Sequence, residues 1–528
     1  MSSLIQRQKS EVISDMHPTH RKILQSIQIL LIWVVITANV FTKLQWNEPD
    51  VLPLARQFFD HSWLPNDWYL NLSKNYQYPF DFVFGFVVYK LGFHVGAEIG
   101  RLLVYSFLTI AIFVFWRTIK LPFSLGLVCL LIFLNHQSLI AGEWIVGGVE
   151  TKTIAYAFVF LSLSAFLSKK YLLGFALAGA AISFHVLIGS YAIFCSIIAM
   201  AFTEAKQLNL GMVKRSWPFF ITGFFGLQAI FLQLLPQSNV DTAKAWKIYV
   251  EYRHPQHLLP HYWEGYFWIF ELIFALIIFL GIFIVRRSKI SRFISAYALG
   301  SIMLFMVGLI LYGLGKITLL RFYWFRFPDV MIPFMLPVLL ALIINDLVIN
   351  RSNTINYSKN RNFRLFDWPS AIQIIIVISI VTFSIIQLQT YIRNSTEIKT
   401  ETQVVFEWIA NNTPKQAILL VDPTISNFYI YGQRSIFCSF KHVPIHPADI
   451  IKWYERVTLC NGNKPLQGIG IDSLGLLQTN FYNLDEKSIL QLAENYGVSY
   501  YLGRPGQSFD FPRVLTTSSY TLYRIEQK

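Results

Sequence analysis

Between Leu24 and Thr390 the chain carries about eleven apolar runs of membrane-spanning length. A run of about 20 apolar residues crosses the hydrocarbon core of a bilayer as a helix. The runs fall near residues 24–42, 99–116, 121–138, 153–168, 171–186, 188–203, 217–235, 266–285, 293–314, 330–349 and 371–390. A further stretch, 80–94, is short and contains Lys90; it reads as an interfacial helix.

Only 14% of the 528 residues are charged, against roughly 25% in soluble domains. Aromatic residues reach 16%, as expected where rings gather at the membrane interface. The formal charge is +14, but the basic residues are scattered through short loops, which speaks against nucleic acid as a partner. They fit topology better, because Lys and Arg hold loops on the cytoplasmic side. With the N-terminus inside, every inward loop is basic. The first carries Arg117 and Lys120, the next Lys169 and Lys170, then Lys206, Lys214 and Arg215. Arg286, Arg287, Lys289 and Arg292 follow, then Arg351, Lys359, Arg361 and Arg364. This predicts a multi-pass plasma (inner) membrane protein with a cytoplasmic N-terminus, and an odd number of spans puts the C-terminus outside. The first run is long and lacks a small-residue cleavage site, so it reads as an anchor.

From Tyr391 the composition becomes that of a soluble domain. Residues 396–411, 446–458 and 486–496 read as helices, and 417–421, 498–502 and 520–525 as strands. Such alternation suggests a small α/β domain. The expected fold is therefore mainly α: a polytopic membrane helical bundle over 1–390 with a small extracytoplasmic α/β domain over 391–528. Cys129 and Cys195 lie inside spans. Cys438 and Cys460 lie in the C-terminal part, where an oxidising compartment would allow them to pair.

Chemistry concentrates in the outward loops. The first places Glu48 and Asp50 just past the first span, and Asp67 follows in an aromatic setting. A partly desolvated carboxylate can act as general base on a hydroxyl; the alternative is that these acids only solvate a loop. The second holds Glu143, Gly147, Gly148, Glu150 and Lys152. Charge at the start of a span is costly unless paired or used, and the glycines permit close backbone approach to a ligand. The simpler reading is a Glu–Lys pair capping a helix. A later loop runs from Glu251 through Arg253, His254 and His257 to His261. Three clustered histidines suggest a metal, but Pro255 and Pro260 prevent regular helical ligand spacing. Arg253 with nearby His donors fits an anion better, such as a lipid phosphate. Arg321 and Arg326 flank an aromatic run and read either as snorkelling anchors or as a phosphate clamp. His185 lies near the outer end of its span, as a packing residue or a cavity-lining one.

In the order of these features the chain resembles the C-superfamily of glycosyltransferases, the multi-span enzymes that use polyprenyl-phosphate sugars. It is more closely similar to an uncharacterised bacterial multi-span family. The stretches that carry the resemblance are Pro65-Asn66-Asp67-Trp68-Tyr69, Gly147-Gly148-Val149-Glu150-Thr151-Lys152, Phe184-His185 and Arg253-His254-Pro255-Gln256-His257-Leu258-Leu259-Pro260. The resemblance implies transfer of a sugar from a polyprenyl-phosphate donor to an extracytoplasmic glycan, lipid or protein acceptor, with inversion. Glu48 or Asp50 would take the acceptor's proton, with Asp67, Glu143 and Glu150 as a second acidic site. Lys152, Arg253, His257, Arg321 and Arg326 would bind the donor phosphate. No metal ligands are assigned and no cofactor is required, although the layout is compatible with a divalent metal. A transporter or lipid flippase is the main alternative, yet no internal repeat is visible and polar residues avoid mid-membrane, apart from Glu271 and Asp346. A non-catalytic envelope-assembly scaffold is the third.

Overall fold

The computed structural model describes residues 18–40, 44, 47–72, 77–205, 209–235, 240–285, 288–355, 368–394 and 399–526. The tail before Pro18 and the inward residues Lys206, Arg286, Arg287, Lys359, Arg361 and Arg364 lie outside the described residues. All eleven apolar runs contain helix, but the expected count of eleven spans is not met by length. Among the described residues seven helices are long and apolar enough to cross a membrane: Pro18–Ala38, Tyr78–Ile119, Val186–Glu204, Phe267–Val285, Lys289–Gly313, Arg326–Asp346 and Ile372–Thr390. The other four runs give shorter helices. Phe123–Asn135 has 13 residues, about 20 Å at 1.5 Å per residue, short of a hydrocarbon core of about 30 Å. Gly223 interrupts another run between Trp217–Thr222 and Phe224–Leu234. The chain is thus a multi-pass membrane protein built mainly of helices.

The Tyr78–Ile119 helix contains both the short apolar stretch and the second span. Gly92, with φ 76° and ψ 174°, kinks it between the two, a conformation glycine adopts without a Cβ clash. Ahead of it, Glu48–Phe59 forms a helix with Pro49 in its first turn. Pro suits that position because its missing N–H has no helical partner there, and the acids Glu48 and Asp50 suit the positive end of the helix dipole.

The C-terminal part folds as a five-stranded mixed sheet in the order β2-β1-β3-β5-β4. The strands are β1 Ile418–Leu420, β2 Ser435–Ile436, β3 Val498–Gly503, β4 Arg513–Thr516 and β5 Thr521–Arg524. β1 runs parallel to β2 and β3, and β5 antiparallel to β3 and β4. Successive side chains point to opposite faces, so Leu419, Leu502 and Leu522 enter one apolar core while Leu420, Tyr501 and Tyr523 enter another. Neither core is closed by C-terminal residues alone. Leu54, Leu64 and Leu70 complete the first, and Ala245 and Ile248 the second. The loops after the first span and before Arg253 are therefore packed into the sheet unit. Cys438 and Cys460 are buried free thiols.

Candidate functional site

The loops singled out in the sequence meet the sheet unit around a cavity of about 870 Å³. Asn47, Asp50, Arg253, His257, Arg321, Arg326 and Lys441 are among its polar lining, and Phe184, Leu187, Ala229 and Ile230 form an apolar wall. His185 also lines it.

The two acids of the first loop separate completely. Glu48 is fully buried and bonded at both carboxylate oxygens by Arg101. It also accepts the Val149 N–H at 2.9 Å, and it does not line the cavity. These bonds join the first loop to the Tyr78–Ile119 helix and the second loop, and they place Glu48, one of the two acids expected as base, away from the cavity. A Cβ on Gly148 would lie 3.0 Å from Glu48 Cγ, and one on Gly147 would lie 2.4 Å from the Trp144 ring nitrogen. These glycines let the loop close on protein rather than on a ligand.

Asp50 faces the cavity. Its carboxylate lies 2.8 Å from His442 Nε2 and 3.3 Å from Lys441 Nζ. Burial opposes its ionisation, but Lys441, His442 and Arg253 outweigh burial and hold its pKa below the ordinary carboxylate value. Lys441 and His442 belong to the sheet unit and carry no motif visible in the sequence. Asp67 lies off the cavity lining. It is buried, accepts the N–H groups of Leu70 at 2.8 Å and of Ile436 at 3.0 Å, and so pins the first loop to β2. Burial raises its pKa despite those bonds.

The second acidic loop is a closed charge network. Lys152 lies 3.2 Å from Glu143 and 3.3 Å from Glu150, with its ammonium 3.6 Å from the Trp144 ring centre. Glu150 accepts bonds from Trp144 and Asn47. Glu143 also binds Arg326 at 2.5 Å. Burial works against the Glu143 charge, yet Arg326, Lys152 and His257 pull its pKa down to about 2. Lys152, expected at the donor phosphate, is thus held between carboxylates and off the cavity lining. Asp329 builds the same loop by accepting from Ser138 Oγ and from the N–H groups of Ile140, Ala141 and Glu143 at 2.7–3.0 Å.

A π-helical turn, Ile248–Arg253, carries Tyr249 and Arg253 to the cavity; such turns are frequent at functional sites. Arg253 donates to the Lys441 carbonyl at 3.1 and 3.3 Å. Arg321 stacks on Trp246 at 4.2 Å. Neither guanidinium forms an ion pair with a carboxylate among the described residues. Arg326 stacks on Tyr323 at 4.0 Å, whose hydroxyl meets that of Tyr249 at 3.1 Å. His257 lines the cavity. Burial pushes its pKa down to about 4, and the Ala141 carbonyl 2.6 Å from Nδ1 takes its one N–H. With Nδ1 donating, Nε2 is a hydrogen-bond acceptor. His254 packs on Tyr249, and His261 turns away to Tyr312. Among the described residues no group of three His, Cys, Asp or Glu side chains is placed to share a metal ion. Each of Glu48, Asp50, Glu143 and Glu150 is instead held by a basic side chain, a donor set that does not fit a divalent cation.

Residues 400–460 match the family model described as "Domain of unknown function (DUF6798)". No curated protein matches the sequence. Among solved structures the chain is similar to the archaeal oligosaccharyltransferase AglB from Archaeoglobus fulgidus in complex with an inhibitory peptide and a dolichol-phosphate. The TM-score is 0.52 at 10% identity, covering 92% of this chain and 70% of that one. The apo form of the Archaeoglobus fulgidus oligosaccharyltransferase gives 0.51 at 11% identity, covering 91% and 69%. ArnT from Cupriavidus metallidurans bound to undecaprenyl phosphate gives 0.49 at 11% identity, covering 96% and 98%. The chain is a multi-span membrane protein that shares its fold with these oligosaccharyltransferase structures.

Proposed function

We propose that the chain is a membrane glycosyltransferase that moves a sugar from a polyprenyl-phosphate donor to an extracytoplasmic acceptor, with inversion. The observation that carries this reading is the pairing, in one cavity, of an ionised carboxylate, Asp50, with two guanidinium groups, Arg253 and Arg321, that form no ion pair of their own with a carboxylate among the described residues. Such guanidinium groups fit a phosphate. The apolar wall of Phe184, Leu187, Ala229 and Ile230 suits the first isoprene units. AglB, whose fold this chain shares, is an oligosaccharyltransferase in complex with a dolichol-phosphate, which supports the same class of donor.

In this reading the acceptor's hydroxyl or amide attacks the anomeric carbon, and the bond from that carbon to the phosphate oxygen breaks. The electron pair leaves with the lipid phosphate, and the proton goes to Asp50. The phosphate gains negative charge in the transition state, where Arg253 and Arg321 act with most effect. Arg326 remains tied to Glu143 and shapes the pocket's edge, and His257 Nε2 accepts from a sugar hydroxyl. A single displacement inverts the anomeric centre. Residues 1–390 carry the donor site, and residues 391–528 lie outside the cytoplasm over it.

The test is transfer by the purified full chain supplied with polyprenyl-phosphate sugars. D50A is expected to lose turnover; full activity in D50A would remove the assignment of the base. A reporter fused after Lys528 is expected to be active only outside the cytoplasm.

A further inference from the structure

We propose that the Lys441–His442 dipeptide of the sheet unit is a positioning device, fixing the general base Asp50 relative to the phosphate-binding guanidinium of Arg253. The inference rests on the proposed function for the roles of those two residues, but the clamp itself rests on geometry.

The dipeptide touches both sides of the reaction. Lys441 Nζ and His442 Nε2 approach the two oxygens of the Asp50 carboxylate, at 3.3 and 2.8 Å. The Lys441 carbonyl accepts two bonds from Arg253. His442 is buried, and its ring is held between those of Tyr69 and Tyr429, with centroids 5.2 and 5.1 Å away. It does not line the cavity, so it acts through Asp50 and not on substrate.

Each carboxylate oxygen has two lone-pair directions. Lys441 lies against one oxygen and His442 against the other, without a hydrogen bond at Oδ1, so the carboxylate sits between two groups of one short segment that restrict its rotation. Because the Lys441 carbonyl also binds Arg253, the spacing between proton acceptor and leaving-group clamp is set by one short segment of the sheet unit. Fixed geometry of this kind converts encounter into reaction. It follows that seating of the sheet unit on the loops is a condition for turnover.

The charged and titratable groups around the pair are Asp50 on its helix, Asp67 and Tyr69 in the first loop, Tyr429 beside β1, Lys441 and Arg253. Removing the Lys441 charge or the His442 contact weakens the hold that keeps Asp50 ionised. The direct test is an infrared titration of the full-length protein, reading the carboxyl band that D50N abolishes. In H442Q and K441M the midpoint of that band is expected to rise relative to the wild type. An unchanged midpoint in both variants would overturn the clamp. K441M keeps the test open if H442Q does not fold, because Lys441 is a quarter exposed. The second readout is sugar release from undecaprenyl-phosphate glucose. H442A is expected to lower kcat at least tenfold with KM for the donor within about twofold, and H442Q to restore part of it. Wild-type kcat in H442A would contradict the proposal. Full turnover in D50N, with the titration shifts intact, would instead overturn the role of Asp50 as base and leave the clamp standing.

Discussion

Glu48 and Arg101 form a buried two-point ion pair that ties the first turn of the Glu48–Phe59 helix to the Tyr78–Ile119 helix. The pair divides the labour of two acids only two residues apart. Glu48 is structural, and Asp50 is left to face the cavity.

Breaking that pair strands a guanidinium in a buried setting, which costs about 3–5 kcal/mol. E48A is therefore expected to lower the thermal unfolding temperature of the purified protein markedly. D50N is not, since Asp50 is partly exposed at the cavity. Equal unfolding temperatures for E48A and the wild type would contradict the structural role of Glu48.

Turnover separates the same two residues in the other direction. Loss of a general base lowers rate by about 10²–10⁴-fold, so D50N is expected to fall in that range while remaining folded. The Asp50 pKa lies below its ordinary value of 3.8, because Lys441, His442 and Arg253 overcome burial. The ionised form is the active one, so kcat is expected to stay flat as pH falls from neutrality to about 5. A rate that declined through pH 6 with the protein folded would point to a different base.

Glu143 sets an acid limit on stability. Its folded pKa of about 2 lies below its ordinary 4.5, so its contribution is fully present above pH 4.5 and is lost as pH falls from there towards 2. The unfolding temperature of the wild type is expected to exceed that of E143Q at neutral pH, with the gap closing only below about pH 4.5. A gap that closed between pH 7 and 5 would contradict the Arg326–Glu143–Lys152 network.

Asp67 holds the sheet unit to the first loop through the N–H groups of Leu70 and Ile436. Leaving a buried N–H without its acceptor costs about 1–3 kcal/mol. D67A is expected to make the region after residue 391 more sensitive to limited proteolysis, and to lower turnover with it. Unchanged proteolysis would place the docking energy elsewhere, in the shared cores around Leu54 and Ile248.

The membrane helices were legible because an apolar run declares itself without knowledge of its neighbours. Their lengths were not, since Gly223 and the short Phe123–Asn135 helix depend on packing. Asp50, Arg253 and Arg321 stood out as charges in apolar surroundings. The uses of Glu48 and Lys152 did not, because Arg101 and Glu143 meet them only after folding. Lys441 and His442 gave no signal: in sequence they are two polar residues in a polar region, and only the docking of the sheet unit brings them to Asp50.

In the proposed function this cavity recognises a lipid phosphate through Arg253 and Arg321, and binding tests that without knowledge of sugar or acceptor. The measurement compares undecaprenyl phosphate with undecaprenol, which shares the chain and lacks the charge, on the full-length protein in nanodiscs. Undecaprenyl phosphate is expected to bind at least tenfold more tightly, as a charge-assisted hydrogen bond of about 1.5–3 kcal/mol implies, and R253A/R321A to erase the difference. Equal affinity for the two lipids, or a preference that survives in R253A/R321A, would contradict the account.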